Sequence, residues 1–199
     1  MGIIEDWGLK IEELNEILST RPSIRGMLSG FIAEYKLSKQ WFSDSRIHAV
    51  KRYDNHDRKR LGDFGFMYRG LSYTIEVKSL QTNSVRTTDN GFKGTVQIDA
   101  SDKRKITLPN GEELATTCLI AGGFDVLAVN LFEFERKWTF AFAWNEELPR
   151  STYKGYTDAQ RKYLLSTSAK VRWPLEPPFT ADPFRLLNRI ATSRKRKGG

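Results

Sequence analysis

Gly62-Asp63-Phe64-Gly65-Phe66, followed by Tyr73-Thr74-Ile75-Glu76-Val77-Lys78-Ser79, is the stretch on which the fold turns. Residues 73–79 read as a strand, because most positions are β-branched or aromatic. Side chains alternate faces along a strand. Glu76 and Lys78 therefore point one way, and Tyr73, Ile75 and Val77 point the other way, into a core. Asp63 lies thirteen positions before Glu76 and opens another short apolar run, residues 64–68. Gly70 separates the runs, so the spacing predicts a hairpin that sets Asp63 beside Glu76 and Lys78.

Two carboxylates and an ammonium on a sheet surface have the makings of a nuclease site. Hard divalent cations such as magnesium prefer oxygen ligands and keep several waters. Such an ion polarises a phosphodiester, stabilises the leaving oxygen and lowers the pKa of a bound water. A lysine beside it orients that water or balances charge in the transition state. Glu-x-Lys is also a common ion pair on a half-exposed strand, where it contributes roughly 0–1 kcal/mol. The rest of the chain has to separate the two readings.

The 199 residues suit one domain with a full hydrophobic core. The longest apolar run, residues 124–132, holds Asp125 and Asn130 and is too short to span a bilayer. Residues 1–10 carry Glu5 and Asp6 and lack an apolar secretory core, so the expected compartment is the cytoplasm and no membrane partner is expected. Cys118 is the single cysteine, which rules out an internal disulfide and reads as a buried structural thiol. His48 and His56 form no ligand set with it, and a histidine–metal nuclease site has less support than the carboxylates. The net charge of +8 points to a polyanionic partner. That charge is clustered. Lys51, Arg52, Arg58, Lys59 and Arg60 precede the carboxylate stretch, Lys103, Arg104 and Lys105 follow it, and residues 194–197 form a third cluster.

Taken in order, residues 3–20 predict one amphipathic helix with Ile4, Trp7, Ile11, Leu14 and Leu18 on its apolar side. Residues 24–42 predict a second, with Met27, Leu28, Phe31, Ile32, Tyr35 and Trp41 on the buried side, and with Gly26 and Gly30 allowing close packing. Glu34 lies at the margin of that stripe, either solvated or as a supporting site carboxylate. Residues 45–54 suggest a strand with Ile47, Ala49 and Tyr53 alternating. Residues 82–94 form a long polar connection holding the Asn90-Gly91 turn signal, and residues 95–100 a short strand. There Gln97, Asp99 and Asp102 are within reach of a ligand, with local hydrogen bonding as their default role. A helix is expected over 112–121, with Leu114, Cys118 and Ala121 inward. Apolar strands follow over 124–134 and 138–144. Residues 158–165 suggest a helix, Trp173-Pro174 and Glu176-Pro177-Pro178 an extended arm, and residues 184–190 a last short helix before a disordered basic tail, 191–199. There is no P-loop, no Rossmann glycine fingerprint and no nucleophilic Ser or Cys motif.

The order helix, strand, strand, strand with Glu-x-Lys, helix, apolar strand, strand, together with Gly62-Asp63 and Ile75-Glu76-Val77-Lys78, resembles the PD-(D/E)xK nuclease superfamily, to which many type II restriction endonucleases belong. The resemblance covers about residues 24–144, leaving 145–190 as a C-terminal extension. It implies an α/β, restriction-endonuclease-like core, a central mixed β-sheet flanked by helices. It further implies that Asp63 and Glu76 bind Mg2+ (or Mn2+ in its place), that the Val77 carbonyl adds a ligand, that Lys78 is the catalytic lysine, and that Glu34 matches the acidic residue some members carry on the first core helix. The implied activity is magnesium-dependent cleavage of double-stranded DNA by a homodimer, with a cognate methyltransferase in the same system. A structure-selective or repair nuclease and a catalytically inactive DNA-binding module are the alternatives. One departure is plain: Gly62 stands where the family has proline. Asp57 and Asp54 are alternative first carboxylates. Asp63 is preferred because it adjoins an apolar run, whereas Asp57 sits in a charged segment.

Overall fold

The computed structural model describes residues 2–53 and 62–197. Its centre is a five-stranded sheet built from β1 (Ile47–Arg52), β2 (Phe64–Tyr68), β3 (Leu71–Ser79), β8 (Val126–Asn130) and β9 (Phe140–Trp144), in that spatial order. The β2–β3 hairpin forms as the spacing predicts, in the register Phe64↔Ile75 through Tyr68↔Leu71. Arg69 and Gly70 close it at φ 50° and 75°. Two positive φ values in a two-residue loop suit the right-handed twist of the flanking strands. Strand β3 pairs with β8 in parallel, and the other pairs are antiparallel. The sheet is therefore mixed. Every residue of β8 is buried, as a strand covered on both faces must be.

The two faces carry different covers. On one, α3 (Pro22–Trp41) and α6 (Pro183–Lys197) pack Ala33, Leu37, Leu187 and Ile190 against Phe64, Phe66, Tyr73, Ile75, Val77 and Phe142. On the other lies a second sheet made of β4 (Arg86–Thr88), β5 (Gly91–Gln97) and β10 (Ser168–Trp173). Its Val96, Val171 and Ala169 meet Leu127, Val129, Ala141 and Ala143. Strand β9 shows the alternation directly: Phe140 and Phe142 face the helices, and Ala141 and Ala143 face the smaller sheet. The expected central mixed sheet with flanking helices is present. The same alternation turns Glu76 and Lys78, opposite Leu127 and Val129, toward the side of the smaller sheet.

Several expectations need correction. The first helical segment is broken by Gly8, at φ 63°, into α1 (Ile3–Asp6) and α2 (Ile11–Thr20). In α3 the covered face runs through Ala33 and Leu37, while Met27, Leu28, Phe31 and Tyr35 are exposed. A Cβ added at Gly26 or Gly30 would meet nothing within 4 Å, so neither glycine serves close packing. In β1 only Ile47 is buried, because a register shift between His48 and Lys51, with Ala49 at φ 50°, breaks the alternation. Residues 82–94 are not a plain connection but supply β4 and the start of β5.

No helix forms over 112–121. The turn at Gly111, φ 86°, folds β7 (Glu113–Thr116) antiparallel onto β6 (Arg104–Thr107). A spacing of four between Leu114 and Cys118 is also an even spacing, so it fits one face of an extended chain equally well. The segment leading into Trp173-Pro174, to which the sequence assigns no element, is strand β10, paired with β5 along its length. The apolar segment after β8 turns into a short helix, α4 (Phe132–Glu135), and residues 158–163 form α5 (Asp158–Tyr163) as expected. The basic tail is not disordered to its start: α6 continues through it to Lys197. Cys118 is buried, as expected. Among the described residues no helix is long and apolar enough to cross a membrane.

Candidate active site

The site begins with a backbone constraint. Gly62 has φ 89°, and a Cβ there would lie 3.0 Å from the Ile75 carbonyl oxygen. Proline is fixed near −65°, so a proline cannot occupy this backbone. Immediately after Gly62, the Asp63 N–H donates to the Ile75 carbonyl at 2.8 Å, and the Asp63 carbonyl accepts from the Tyr53 N–H at 2.9 Å. Asp63 is held between the end of β1 and the middle of β3. Its Oδ2 accepts a 2.7 Å hydrogen bond from the Val77 N–H, which places the carboxylate at the level of Glu76 and Lys78.

On β3, Lys78 Nζ pairs with Glu76 Oε1 at 2.8 Å. The Glu76 side chain is 13% exposed and that of Lys78 27%, so this is not the freely solvated surface pair that the bland reading requires. Glu34 reaches in from α3, equally shielded at 13%, and accepts from Arg52 Nη2 at 2.9 Å and Nε at 3.2 Å. Asp63, Glu76, Lys78 and Glu34 act on one another electrostatically. Burial, then the charge of Glu76, pushes Asp63 up to about 7, against the opposing pull of the Val77 N–H. Burial also raises Glu34, partly offset by Arg52. For Lys78, burial favours the neutral amine. The charges of Glu76, Asp63 and Asp99, with the Glu76 hydrogen bond, outweigh it and leave the ammonium above its usual range.

Asp99 is the residue that sequence reading passed over in favour of local bonding. Its Oδ1 is buried without a hydrogen-bond partner among the described residues. Leu80 pairs antiparallel with Val96, which carries the chain after β5 back alongside Lys78. Nothing in the local pattern of residues 95–100 gives that relationship; only the pairing of distant strands does.

The remaining basic positions are spread more widely. Lys51 and Arg52 lie exposed on β1, and Arg52 is engaged with Glu34. Gln97 is exposed at the end of β5 and accepts from Gln81 Nε2 at 3.2 Å. Lys103 precedes β6, which carries Arg104 and Lys105; Lys105 pairs with Glu113 across the β6–β7 hairpin. Arg58, Lys59, Arg60, His56 and the alternative acids Asp54 and Asp57 lie outside the described residues.

All the acidic donors at this site are oxygens, which suits a hard cation rather than zinc. Among the described residues no three of His, Cys, Asp and Glu form a compact metal-binding group. An ion here would take the two carboxylates of Asp63 and Glu76 and complete its shell from backbone carbonyl and water, the usual habit of magnesium. The raised Asp63 fits that role, because burial and the neighbouring Glu76 charge both disfavour its ionised form, which a cation would favour.

No protein-family model matches the sequence, and no curated protein matches it. Among solved structures, the chain is similar to a bacterial homing endonuclease, I-Ssp6803I, with a TM-score of 0.45 and 13% sequence identity over 85% of this chain and 97% of that one.

Proposed function

We propose that this chain is a magnesium-dependent DNA endonuclease of the PD-(D/E)xK type, acting on double-stranded DNA as a homodimer in the manner of a type II restriction enzyme, alongside a cognate methyltransferase. The observation that carries the proposal is the convergence of Asp63, Glu76 and Lys78 at one point of the sheet, with Glu34 beside them, in a chain of net charge +8. Asp63 and Glu76 would hold Mg2+ or Mn2+, with the Val77 carbonyl as a further ligand. Bound there, the cation supplies charge stabilisation at a scissile phosphate and a more acidic water. Lys78 holds a positive charge against Glu76 and is placed to orient a water or to offset charge building on the phosphate. Glu34 fixes Arg52, whose side chain is 55% exposed and within reach of a backbone phosphate. Lys51, Gln97 and the Lys103–Arg104–Lys105 cluster extend the surface that DNA would follow, and Arg58, Lys59 and Arg60 add to it in sequence.

Purified protein incubated with supercoiled plasmid and phage DNA, with and without magnesium, tests this directly. A ladder of defined fragments supports restriction-type cleavage, and nicking without defined fragments supports a structure-selective enzyme. A second reading, a DNA-binding module without chemistry, is favoured by one observation. Lys78 already occupies an oxygen of Glu76, as it would in a purely structural ion pair. DNA retention without any metal-dependent nicking selects that reading.

A further inference from the structure

The outward face of the N-terminal helices is apolar. Eleven large hydrophobic residues are exposed among the described residues, and nine of them lie between Ile3 and Tyr35. On α3, Ile24, Met27, Leu28, Phe31 and Tyr35 recur at intervals of three and four, so they form one continuous stripe. That stripe faces away from Ala33 and Leu37, which pack on the sheet. Ile3, Trp7, Ile11 and Ile17 add to the exposed apolar surface from α1 and α2. A helix that covers its own sheet with alanine and leucine, and offers phenylalanine, methionine and tyrosine outward, is patterned for two partners.

Large apolar side chains present roughly 150–250 Å² each when fully free. Met27 is 62% exposed and Trp7 65%, with the other seven between 37% and 63%. At that scale the five residues of the α3 stripe offer on the order of 400–600 Å², and α1 and α2 add to it, against the roughly 800 Å² per partner of a standard stable interface.

Charge selects the occupant. Residues 2–20 carry Glu5, Asp6, Glu12, Glu13 and Glu16 against Lys10, an acidic segment in a basic chain. Residues 21–41 carry Arg21, Arg25, Lys36 and Lys39 against Glu34. An acidic flank of this kind repels nucleic acid and anionic lipid alike. It complements the basic helix of another copy. We propose that the outward stripe of α3, flanked by α1 and α2, is the surface through which two copies of this chain pair about a two-fold axis, the acidic α2 of one against the basic α3 of the other. A two-fold contact uses the same patch twice and must complement itself, and this patch carries both signs.

The pairing gives a physical seat to the homodimer of the nuclease reading but does not depend on its chemistry. The stripe also adjoins the site: the Arg52 guanidinium lies 6.0 Å from the centre of the Phe31 ring and is bound to Glu34.

Sedimentation velocity on the full chain tests the proposal. The wild type is expected at twice the 22.9 kDa chain mass at micromolar concentration. Met27→Glu/Phe31→Glu is expected to sediment as the single chain with an unchanged far-ultraviolet spectrum, since both side chains lie outside the core. Tyr153→Glu, which alters an exposed apolar residue elsewhere, should leave the dimer intact. Glu12→Lys/Glu16→Lys should weaken dimerisation about tenfold or more, and adding Arg21→Glu/Arg25→Glu should restore it. A wild type that is monomeric at tens of micromolar overturns the proposal, as does a dimer that survives Met27→Glu/Phe31→Glu. A failure of restoration by the second charge reversal overturns the α2-on-α3 arrangement. A dimer that does not cut DNA leaves this inference standing and removes the nuclease reading, so the two fail separately.

Discussion

The Asp63 carboxylate accepts a 2.7 Å hydrogen bond from the backbone N–H of Val77, the residue between Glu76 and Lys78. One bond thus fixes the first acid of the site against the strand that carries the second acid and the lysine. The fixing is between neighbouring antiparallel strands, so it survives the loss of either β3 side chain. Glu76 and Lys78 can be changed without releasing Asp63.

From this follows the first prediction. Glu76→Ala and Lys78→Ala should each lower magnesium-dependent nicking by about a hundredfold or more, the scale expected when a group that stabilises the transition state is removed. DNA retention at low salt should change by less than about threefold, because phosphate contacts elsewhere supply most of that affinity. Glu76→Ala also leaves the shielded Lys78 without its ion-pair partner, so a modest drop in melting temperature is expected for that variant. Plasmid nicking with a parallel filter-binding assay checks both. Wild-type nicking in either variant removes these residues from the site.

Gly62 offers a purely conformational test. Its φ of 89° suits glycine, and an added Cβ would press on the Ile75 carbonyl at 3.0 Å. Gly62→Ala should cost about 1–2 kcal/mol in urea denaturation. Gly62→Pro should be worse, about 3 kcal/mol or more, because proline cannot take that φ. A Gly62→Pro variant as stable as the wild type would contradict the turn described here.

Asp63 makes stability pH-dependent in a direction that can be worked out. In the metal-free fold it is pushed up from 3.8 to about 7, by burial and then by Glu76. Between about pH 4 and pH 7 the folded state keeps a proton that the unfolded chain releases. The associated stability is fully present below the lower value and is lost as pH rises through the upper one. At about 1.4 kcal/mol per pH unit, the loss over that interval is on the order of 4 kcal/mol. Asp63→Asn keeps an acceptor for the Val77 N–H but cannot ionise. Compared with the wild type in EDTA, it should lose less stability between pH 5 and pH 8 and be the more stable protein at pH 8. Parallel pH slopes for the two proteins would refute the assignment.

The hairpin and its three charged residues were legible because a period of two, a glycine between apolar runs and the Glu-x-Lys pair all agree on one register. Strands β8 and β9 were legible from their apolar runs. Other features were hidden for definite reasons. The spacing of Leu114 and Cys118 suits both helix and strand. The alternation of Ala169 and Val171 with Lys170 and Arg172 is regular, but it runs for only a few residues before the prolines, too short to stand out as a strand. The period of α3 tells which residues share a face, yet not which face is covered, and here the smaller residues are inside. Asp99 has no local signature at all, since its approach to Lys78 depends on the pairing of Leu80 with Val96.

The basic tail was misread for a related reason: composition describes solvation and says nothing of a single distant partner. Arg194 pairs with Asp125, donates to the Ser72 carbonyl at 2.8 Å and lies 4.8 Å from the centre of the Tyr73 ring. Asp125 in turn accepts from the Thr74 N–H at 2.8 Å. Arg194→Ala should therefore destabilise by about 1 kcal/mol, discounted for its partial exposure, whereas Arg196→Ala should change stability by less than about 0.5 kcal/mol. Equal effects of the two substitutions in chemical denaturation would mean that α6 is not docked through Arg194.

Metal linkage gives the most direct test of the proposed site. Asp63 and Glu76 are close enough for the charge of one to raise the pKa of the other, and a divalent ion between them would remove that cost. An ion that binds only the folded state adds stability that grows with its concentration over its dissociation constant, about 2.7 kcal/mol at a hundredfold excess. Millimolar Mg2+ or Mn2+ should therefore raise the melting temperature of the wild type at pH 7–8, and more so when DNA supplies a phosphate oxygen. The shift should shrink as pH falls below about 7, where Asp63 takes up its proton and must release it to bind. Asp63→Asn and Glu76→Gln should each remove most of the shift, and Asp57→Asn should keep it. Calcium should stabilise the complex with DNA but support little nicking, because its larger and looser shell positions a water poorly. If Asp57→Asn abolishes the response while Asp63→Asn retains it, the first ligand is Asp57. If the wild type responds to no divalent ion, with or without DNA, Lys78 and Glu76 are an ion pair that orders the strand, and the chain grips DNA without cutting it.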